Sequence, residues 1–269
     1  MVSNHKLQKM VKVKLKFKVT QFTELTDAQW AIIEKKVDTG RKIKKDLRMI
    51  INCILKIVRT GCQWRNIDEK YGPWQSIYYY FRKWVKNGTL SDIMSHVVQK
   101  ERVRQGRDAE ASASAIDSQS VKKGGLINLD TGIDGNKKIN GRKRNILVDT
   151  LGLPIAIFVC AANIQDGIAG IELLPLIEKS TKRLKLIRAD KAYRSDFTEA
   201  AQWCGYAVEV SQKPPTEKGF VPQTGRWQVE RSFAWENFYR RLSKDYEKTV
   251  DSSVAFIQLA FISIILSKF

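Results

Sequence analysis

Histidine is nearly missing from this 269-residue chain, which has only His5 and His96. That excludes a His/Cys zinc centre and leaves little for catalysis through an imidazole base. The cysteines, Cys53, Cys62, Cys160 and Cys204, form no CxxC pair and show no zinc spacing. Scattered in this way, they read as reduced, mostly buried thiols of a cytoplasmic protein. Long apolar runs are also lacking. The longest, Val254 to Leu266, is interrupted by Gln258 and Ser263. A membrane span needs ~20 apolar residues, so this stretch reads as a core helix. Residues 1–20 alternate lysine with apolar residues and show no signal peptide. Acidic residues are short as well, 28 against 47 Lys and Arg, for a net charge of +19.

An excess of that size calls for a polyanionic partner, nucleic acid first and a membrane surface second. It is uneven along the chain. Residues 1–105 hold 23 Lys/Arg against 9 Asp/Glu, and the remainder holds 24 against 19. An N-terminal module therefore carries most of the attraction. Hydrophobic content of 43% marks a folded protein.

Residues 1–20, with six lysines and no acid, read as a basic tail. From 21 to 105 the pattern is helical. Thr26 and Asp27 cap a helix to Val37, with Gly40 as a stop. A second helix is expected from about Lys42 to Arg59, ended by Gly61. Pro73 opens a third, Trp74 to Lys86, that buries Ile77, Phe81 and Trp84. Its other face shows Gln75, Ser76, Tyr79, Tyr80, Arg82, Lys83 and Lys86, side chains suited to phosphates and base edges. Together these helices suggest a DNA-binding domain of helix-turn-helix type.

Beyond a junction near Gln105–Asp108, strands and helices alternate, giving an α/β domain over residues 106–269. Ala113 to Asp117 reads as a strand and Gln119 to Gly141 as a loop. Ile146 to Thr150 and Pro154 to Cys160 read as a hairpin around Gly152. A helix is expected from Asp166 to about Lys179, a strand from Leu184 to Ala189, and a helix capped by Ser195. A strand at Tyr206–Val210 and helices at about Arg226–Leu242 and Asp251–Lys268 complete the order. The basic run Lys137, Lys138, Arg142, Lys143 and Arg144, read as part of a connection, is expected to grip a DNA backbone.

Three carboxylates stand out. Asp117 and Asp190 each end a strand, where open α/β sheets place their active sites. Glu230 lies within Gly225-Arg226-Trp227-Gln228-Val229-Glu230-Arg231-Ser232-Phe233-Ala234-Trp235. It shares a helical face with Trp227, Arg231 and Ala234, the face expected to turn inward. A carboxylate there needs an ion pair, with Arg226 one turn back, or a bound cation. With the two aspartates it could bind two hard cations and so promote phosphodiester chemistry.

The chain resembles DDE transposases of bacterial insertion sequences, particularly the group named after insertion sequence 5. The resemblance runs over residues 21–269 through Gly61-Cys62-Gln63-Trp64-Arg65, Tyr71-Gly72-Pro73-Trp74, Ala115-Ile116-Asp117-Ser118-Gln119-Ser120, Val148-Asp149-Thr150-Leu151-Gly152-Leu153, Ala189-Asp190-Lys191-Ala192-Tyr193, Val229-Glu230-Arg231-Ser232-Phe233-Ala234-Trp235 and Tyr239-Arg240-Arg241-Leu242-Ser243-Lys244-Asp245-Tyr246-Glu247. It implies an RNase H-like catalytic domain, a mixed sheet flanked by helices, behind a small all-helical DNA-binding domain. It maps the catalytic and metal-binding residues onto Asp117, Asp190 and Glu230, with two Mg²⁺ ions for which Mn²⁺ could substitute. In the signature around the third carboxylate, Arg226 and Glu230 match. Gln223 stands at the tyrosine position and Asn237 at the lysine position, with Arg240 and Arg241 able to supply the phosphate contact. Glu236 is a rival carboxylate that lacks the Arg226 spacing. The implied partners are double-stranded DNA, as element ends and target, and further copies of the chain in a dimer or larger synapse. The implied location is the bacterial cytoplasm. Rival readings are a non-catalytic DNA-binding regulator and an RNase H-like nuclease.

Overall fold

Two punctuated helices begin the structure. In the computed structural model, which describes residues 22–37, 45–125, 127–211 and 227–269, α1 runs Asp27–Val37. A capping box opens it: the Gln29 N–H donates to Thr26 Oγ1 at 3.2 Å, and the Thr26 N–H to Gln29 Oε1 at 3.0 Å. Helix α2 runs Leu47–Thr60, with Asp46 as N-cap, and stops at Gly61 in the left-handed region at φ 74°. The basic tail, the Gly40 stop and the expected helix start at Lys42 lie outside the described residues.

Helix α3 occupies Trp74–Lys86, as Pro73 and the apolar spacing predict, and α4 occupies Thr89–Arg104. Residues 61–73 connect α2 and α3, in place of the three- to four-residue turn of a tight helix-turn-helix. Two 3-10 turns fill that connection, and Trp64 packs among Tyr78, Phe81 and Phe256.

A mixed sheet follows. Its strands are β1 (Ala113–Lys122), β2 (Gly132–Asp134), β3 (Ile139–Asp149), β4 (Pro154–Ala161), β5 (Leu186–Ala189) and β6 (Ala207–Val210). The order is β2-β3-β1-β5-β6, with β4 also on β3. β1, β3 and β4 run antiparallel, while β5 and β6 run parallel to β1. The loop expected over Gln119–Gly141 is shorter than read, because β1 and β3 pair as far as Lys122 and Gly141.

The expected single helix after Asp166 is two, α5 (Asp166–Ile171) and α6 (Leu174–Ser180). Pro175 sits in the first turn of α6 and has no N–H to continue α5. Helix α7 is Asp196–Trp203; Ser195 has φ 63° and makes no capping bond, contrary to expectation. Helix α8, Trp227–Glu236, stops short of the expected Leu242, with a 3-10 turn at Arg240–Leu242, and α9 is Val250–Leu266.

Helices α5 to α7 cover one face of the sheet around Ile116, Leu147, Ile187, Tyr193 and Phe197. The other face carries α8, α9 and the N-terminal helices in one continuous core, from Leu25 through Trp84 to Val148, Phe233 and Phe261. Helices α1 to α4 therefore share their core with the sheet domain. A buried ion pair between Arg102 of α4 and Asp149 at the end of β3 fastens them to it. This is the helical segment plus RNase H-like layer that the sequence predicts. No described helix is long and apolar enough to cross a membrane.

Candidate active site and nucleic-acid interface

Strand alternation sorts the two aspartates. Ala115 packs in the core beneath α8 and α9, and Ile116 in the core on the opposite face. Asp117 therefore shares the α8 face. Ala115 pairs with Arg188 across the parallel β1–β5 ladder, and two residues further lie Asp117 and Asp190. Ile187 and Ala189 belong to the opposite core, which leaves Asp190 on the α8 face too. Both aspartates are half-buried. One oxygen of each is held by a nearby backbone N–H: Ser118 donates to Asp117 at 2.7 Å, and Ala192 to Asp190 at 2.8 Å.

Glu230 corrects the expected helix phase. The face of α8 that turns inward is Val229, Ser232, Phe233 and Glu236, whereas Trp227, Glu230 and Ala234 are exposed. Ser232 donates to the Gly152 carbonyl at 2.8 Å, and Gln228 also borders Gly152 at the β3–β4 turn. At ~100° per residue, those two lie about 160° around the helix from Glu230. Helix α8 packs on β1 and β3. The Glu230 flank is thus turned away from the β3–β4 turn and is exposed. Among the described residues, no three His, Cys, Asp or Glu side chains converge closely enough to hold a metal ion. Arg226 and Gln223 lie outside the described residues. The rival Glu236 is buried against Arg144, and that burial pushes its carboxyl up to about 7, despite the neighbouring guanidinium.

The basic run splits. Lys137 and Lys138 are exposed in the turn between β2 and β3. Arg142, Lys143 and Arg144 lie inside β3, nearly or fully buried, and pair with Asp245, Asp166 and Glu236 respectively. They do not form the expected exposed grip on DNA. Their charges are committed because a buried guanidinium or ammonium without a counter-charge is very costly. Arg241 is likewise engaged, in contact with Glu247 through Nε and Nη2 at 2.7 Å and stacked 5.0 Å from the Phe256 ring. Arg240 is exposed.

On α3, Gln75, Tyr79 and Arg82 are exposed, and Ser76 and Lys83 half-buried. This face opens onto two adjoining clefts of about 670 and 470 Å³ that share Arg82 and Ser252. Lys86 of the same face lines them, with two basic residues missed from the sequence, Arg65 and Lys248, beside Trp74 and Tyr246. Arg65 sits 5.5 Å over the Trp74 ring. None of Arg65, Arg82, Lys83, Lys86 and Lys248 forms an ion pair with another described residue.

Also missed was a polar group behind the two aspartates. Ser118, Lys143, Asp166 and Tyr193 meet on the sheet face opposite α8. Burial, then the charges of Asp117, Asp166 and Asp190, push the Tyr193 phenol well up. The one sequence signal was the alternation Asp117-Ser118, which sends the serine to the reverse face.

Comparison with known proteins agrees with this architecture. Residues 25–94 match the family described as a putative transposase of the IS4/5 family. Residues 108–210 and 187–267 each match a transposase DDE domain family. The chain belongs to the DDE transposase families of insertion sequences. It is 32% identical over 129 residues to a putative transposase for insertion sequence element IS402 of Burkholderia cepacia, covering 44% of this chain and 60% of that one. It is 26% identical over 102 residues to the uncharacterised protein y4sN of Sinorhizobium fredii, covering 36% and 75%. The match thus spans less than two thirds of the first relative's length.

Proposed function

We propose that this DDE transposase binds the terminal inverted repeats of its insertion sequence and carries out DNA cleavage and strand transfer with Asp117, Asp190 and Glu230. The observation that carries this reading is that Asp117, inside β1 just past its parallel ladder with β5, and Asp190, just past the end of β5, lie on neighbouring strands on the face that bears α8 and its exposed Glu230. The donor set is all carboxylate, which suits hard divalent cations such as Mg²⁺ or Mn²⁺ and not softer metals. When bound, a pair of such ions supplies charge stabilisation for both the attacking and the departing oxygen of a phosphodiester displacement.

The chain's own residues supply position. The Ser118 and Ala192 N–H groups orient the two aspartates, and α8 carries the glutamate in from the adjoining layer. The exposed face of α3, with Arg65, Lys86 and Lys248, provides an unpaired basic surface with aromatic rings among the charges, suited to a DNA backbone. Lys137, Lys138 and Arg240 are the exposed remainder of the expected contacts. Two element ends must be held together for coherent joining, so the working form is a dimer or larger assembly. A basic enzyme acting on DNA in a bacterium works in the cytoplasm, on the nucleoid.

The test is a labelled duplex from one end of the chain's own element, incubated with Mg²⁺ and wild type, Asp190→Ala, Glu230→Gln or Glu236→Gln. The expected result is cleavage at the repeat boundary by wild type and Glu236→Gln, with binding but no cleavage by the other two. Cleavage by Glu230→Gln would remove that residue from the triad. Binding without cleavage by wild type, with Mn²⁺ also failing, would favour a non-catalytic regulator.

A further inference from the structure

Helix α5 touches both segments that carry the aspartates, β1 and the Lys191–Tyr193 turn that follows β5. Ser118, on the reverse face of β1, donates its hydroxyl to Asp166 Oδ1 at 2.8 Å. Lys143 Nζ lies 2.7 Å from the same oxygen and donates to the Ile164 carbonyl at 2.6 Å. The lysine side chain is only 7% exposed, and an ammonium in such a place is retained only where its partners are fixed. This chain of contacts anchors residue 118, whose N–H in turn holds Asp117.

The second support runs through Tyr193. A Cβ at Gly170 of α5 would come within 3.0 Å of the Tyr193 ring and 2.8 Å of Phe197, so the ring is seated directly on the helix backbone. The Tyr193 side chain is fully buried beside Ser118, and its hydroxyl meets the geometric criteria for a hydrogen bond with no described residue. The tyrosine closes the 3-10 turn Lys191–Tyr193, whose Ala192 N–H holds Asp190. One short helix thus braces the two backbone donors that orient the two carboxylates.

We propose that Lys143, Asp166, Ser118 and Tyr193 form a buttress that fixes the spacing of Asp117 and Asp190, making Lys143 and Asp166 positioning residues for divalent-cation binding at the two aspartates. The inference rests on the aspartates' proposed role as cation ligands. Groups that orient ligands from behind typically change metal affinity 10- to 100-fold when lost. A buttress acting as a unit also gives non-additive losses.

The experiment is Mn²⁺ binding to the full chain, followed by electron paramagnetic resonance, with thermal midpoints recorded on the same samples. Asp190→Asn should abolish binding. Asp166→Asn and Lys143→Met should each weaken it about tenfold, and the double variant no more than either alone. Ser118→Ala, which removes a single hydroxyl, should weaken it to a smaller extent and serves if the others fail to fold. Wild-type Mn²⁺ affinity in these variants, with only the midpoint lowered, overturns the buttress and leaves a merely structural ion pair. Wild-type affinity in Asp190→Asn as well overturns the cation-ligand reading itself. Together the two arms separate the two failures.

Discussion

Replacing Arg142 by Met separates a structural from a DNA-binding role for the charge run of β3. Arg142 is 0% exposed. Its Nη1 donates to Asp245 Oδ1 at 3.2 Å and to the Glu247 carbonyl at 2.9 Å, and its Nη2 to the Leu129 carbonyl at 2.9 Å. These bonds tie the segment leading into α9 to the one leading into β2. Asp245 is itself 2% exposed and keeps bonds from Ser253 and the Glu247 N–H, but loses its counter-charge in the variant. Breaking one side of a buried pair costs about 3–5 kcal/mol. In a chain of this size each kcal/mol lowers the midpoint by roughly 2–4 °C, so thermal unfolding should fall by about 10 °C. DNA affinity, measured by anisotropy well below the new midpoint, should keep its salt dependence. A phosphate-contacting arginine would do the opposite, leaving the midpoint in place and reducing the log–log salt slope by about 1. Lys137→Met, at an exposed position, is the control for that second pattern. An unchanged midpoint with a reduced slope in Arg142→Met would refute the assignment.

The remaining predictions concern an acid, a helix stop and the thiols. Burial holds the Glu236 carboxyl up at about 7, so the folded state keeps a proton that the unfolded chain has already released. This group's contribution is therefore full below about pH 4.5 and is lost as pH rises to about 7, a change on the order of 3 kcal/mol. Glu236→Gln should lack that slope; parallel urea titrations from pH 4.5 to 8 would expose the error if the two curves stay offset by a constant. Gly61→Ala puts a Cβ on a residue at φ 74° and 3.2 Å from Arg240 Cβ. It should cost about 1–2 kcal/mol by urea unfolding, and a neutral result would mean the α2 terminus relaxes freely. Exposed Cys204 should react first with a thiol reagent, while buried Cys53, pushed up to about 12, should react only on unfolding. Retention of the fast phase in Cys204→Ser would contradict this.

What the sequence disclosed depended on whether the deciding partner lay nearby. The α1 cap at Thr26, the Pro73 start of α3, the Gly61 stop and the Gly152 turn are local devices, and each sits where it was read. The parity of β1 and β5 is local as well, but the expected strand end at Asp117 is not there: β1 runs on to Lys122 through its pairing with β3, a partner the local pattern does not show. The charge run failed that condition. Arg142 and Arg144 find Asp245 and Glu236 at separations of 103 and 92 residues, and nothing within the run distinguishes a buried strand from a solvated loop. The phase of α8 failed for a related reason. Its two candidate stripes each carry one carboxylate and at least one large aromatic, Trp227 with Glu230 and Phe233 with Glu236, so hydrophobicity alone does not choose between them. The choice goes with Arg144, whose guanidinium contacts the Glu236 carboxyl inside the core, and Glu230 is left outward. A carboxylate so spared from structural pairing costs the fold little. That is the condition under which it can be held for a cation.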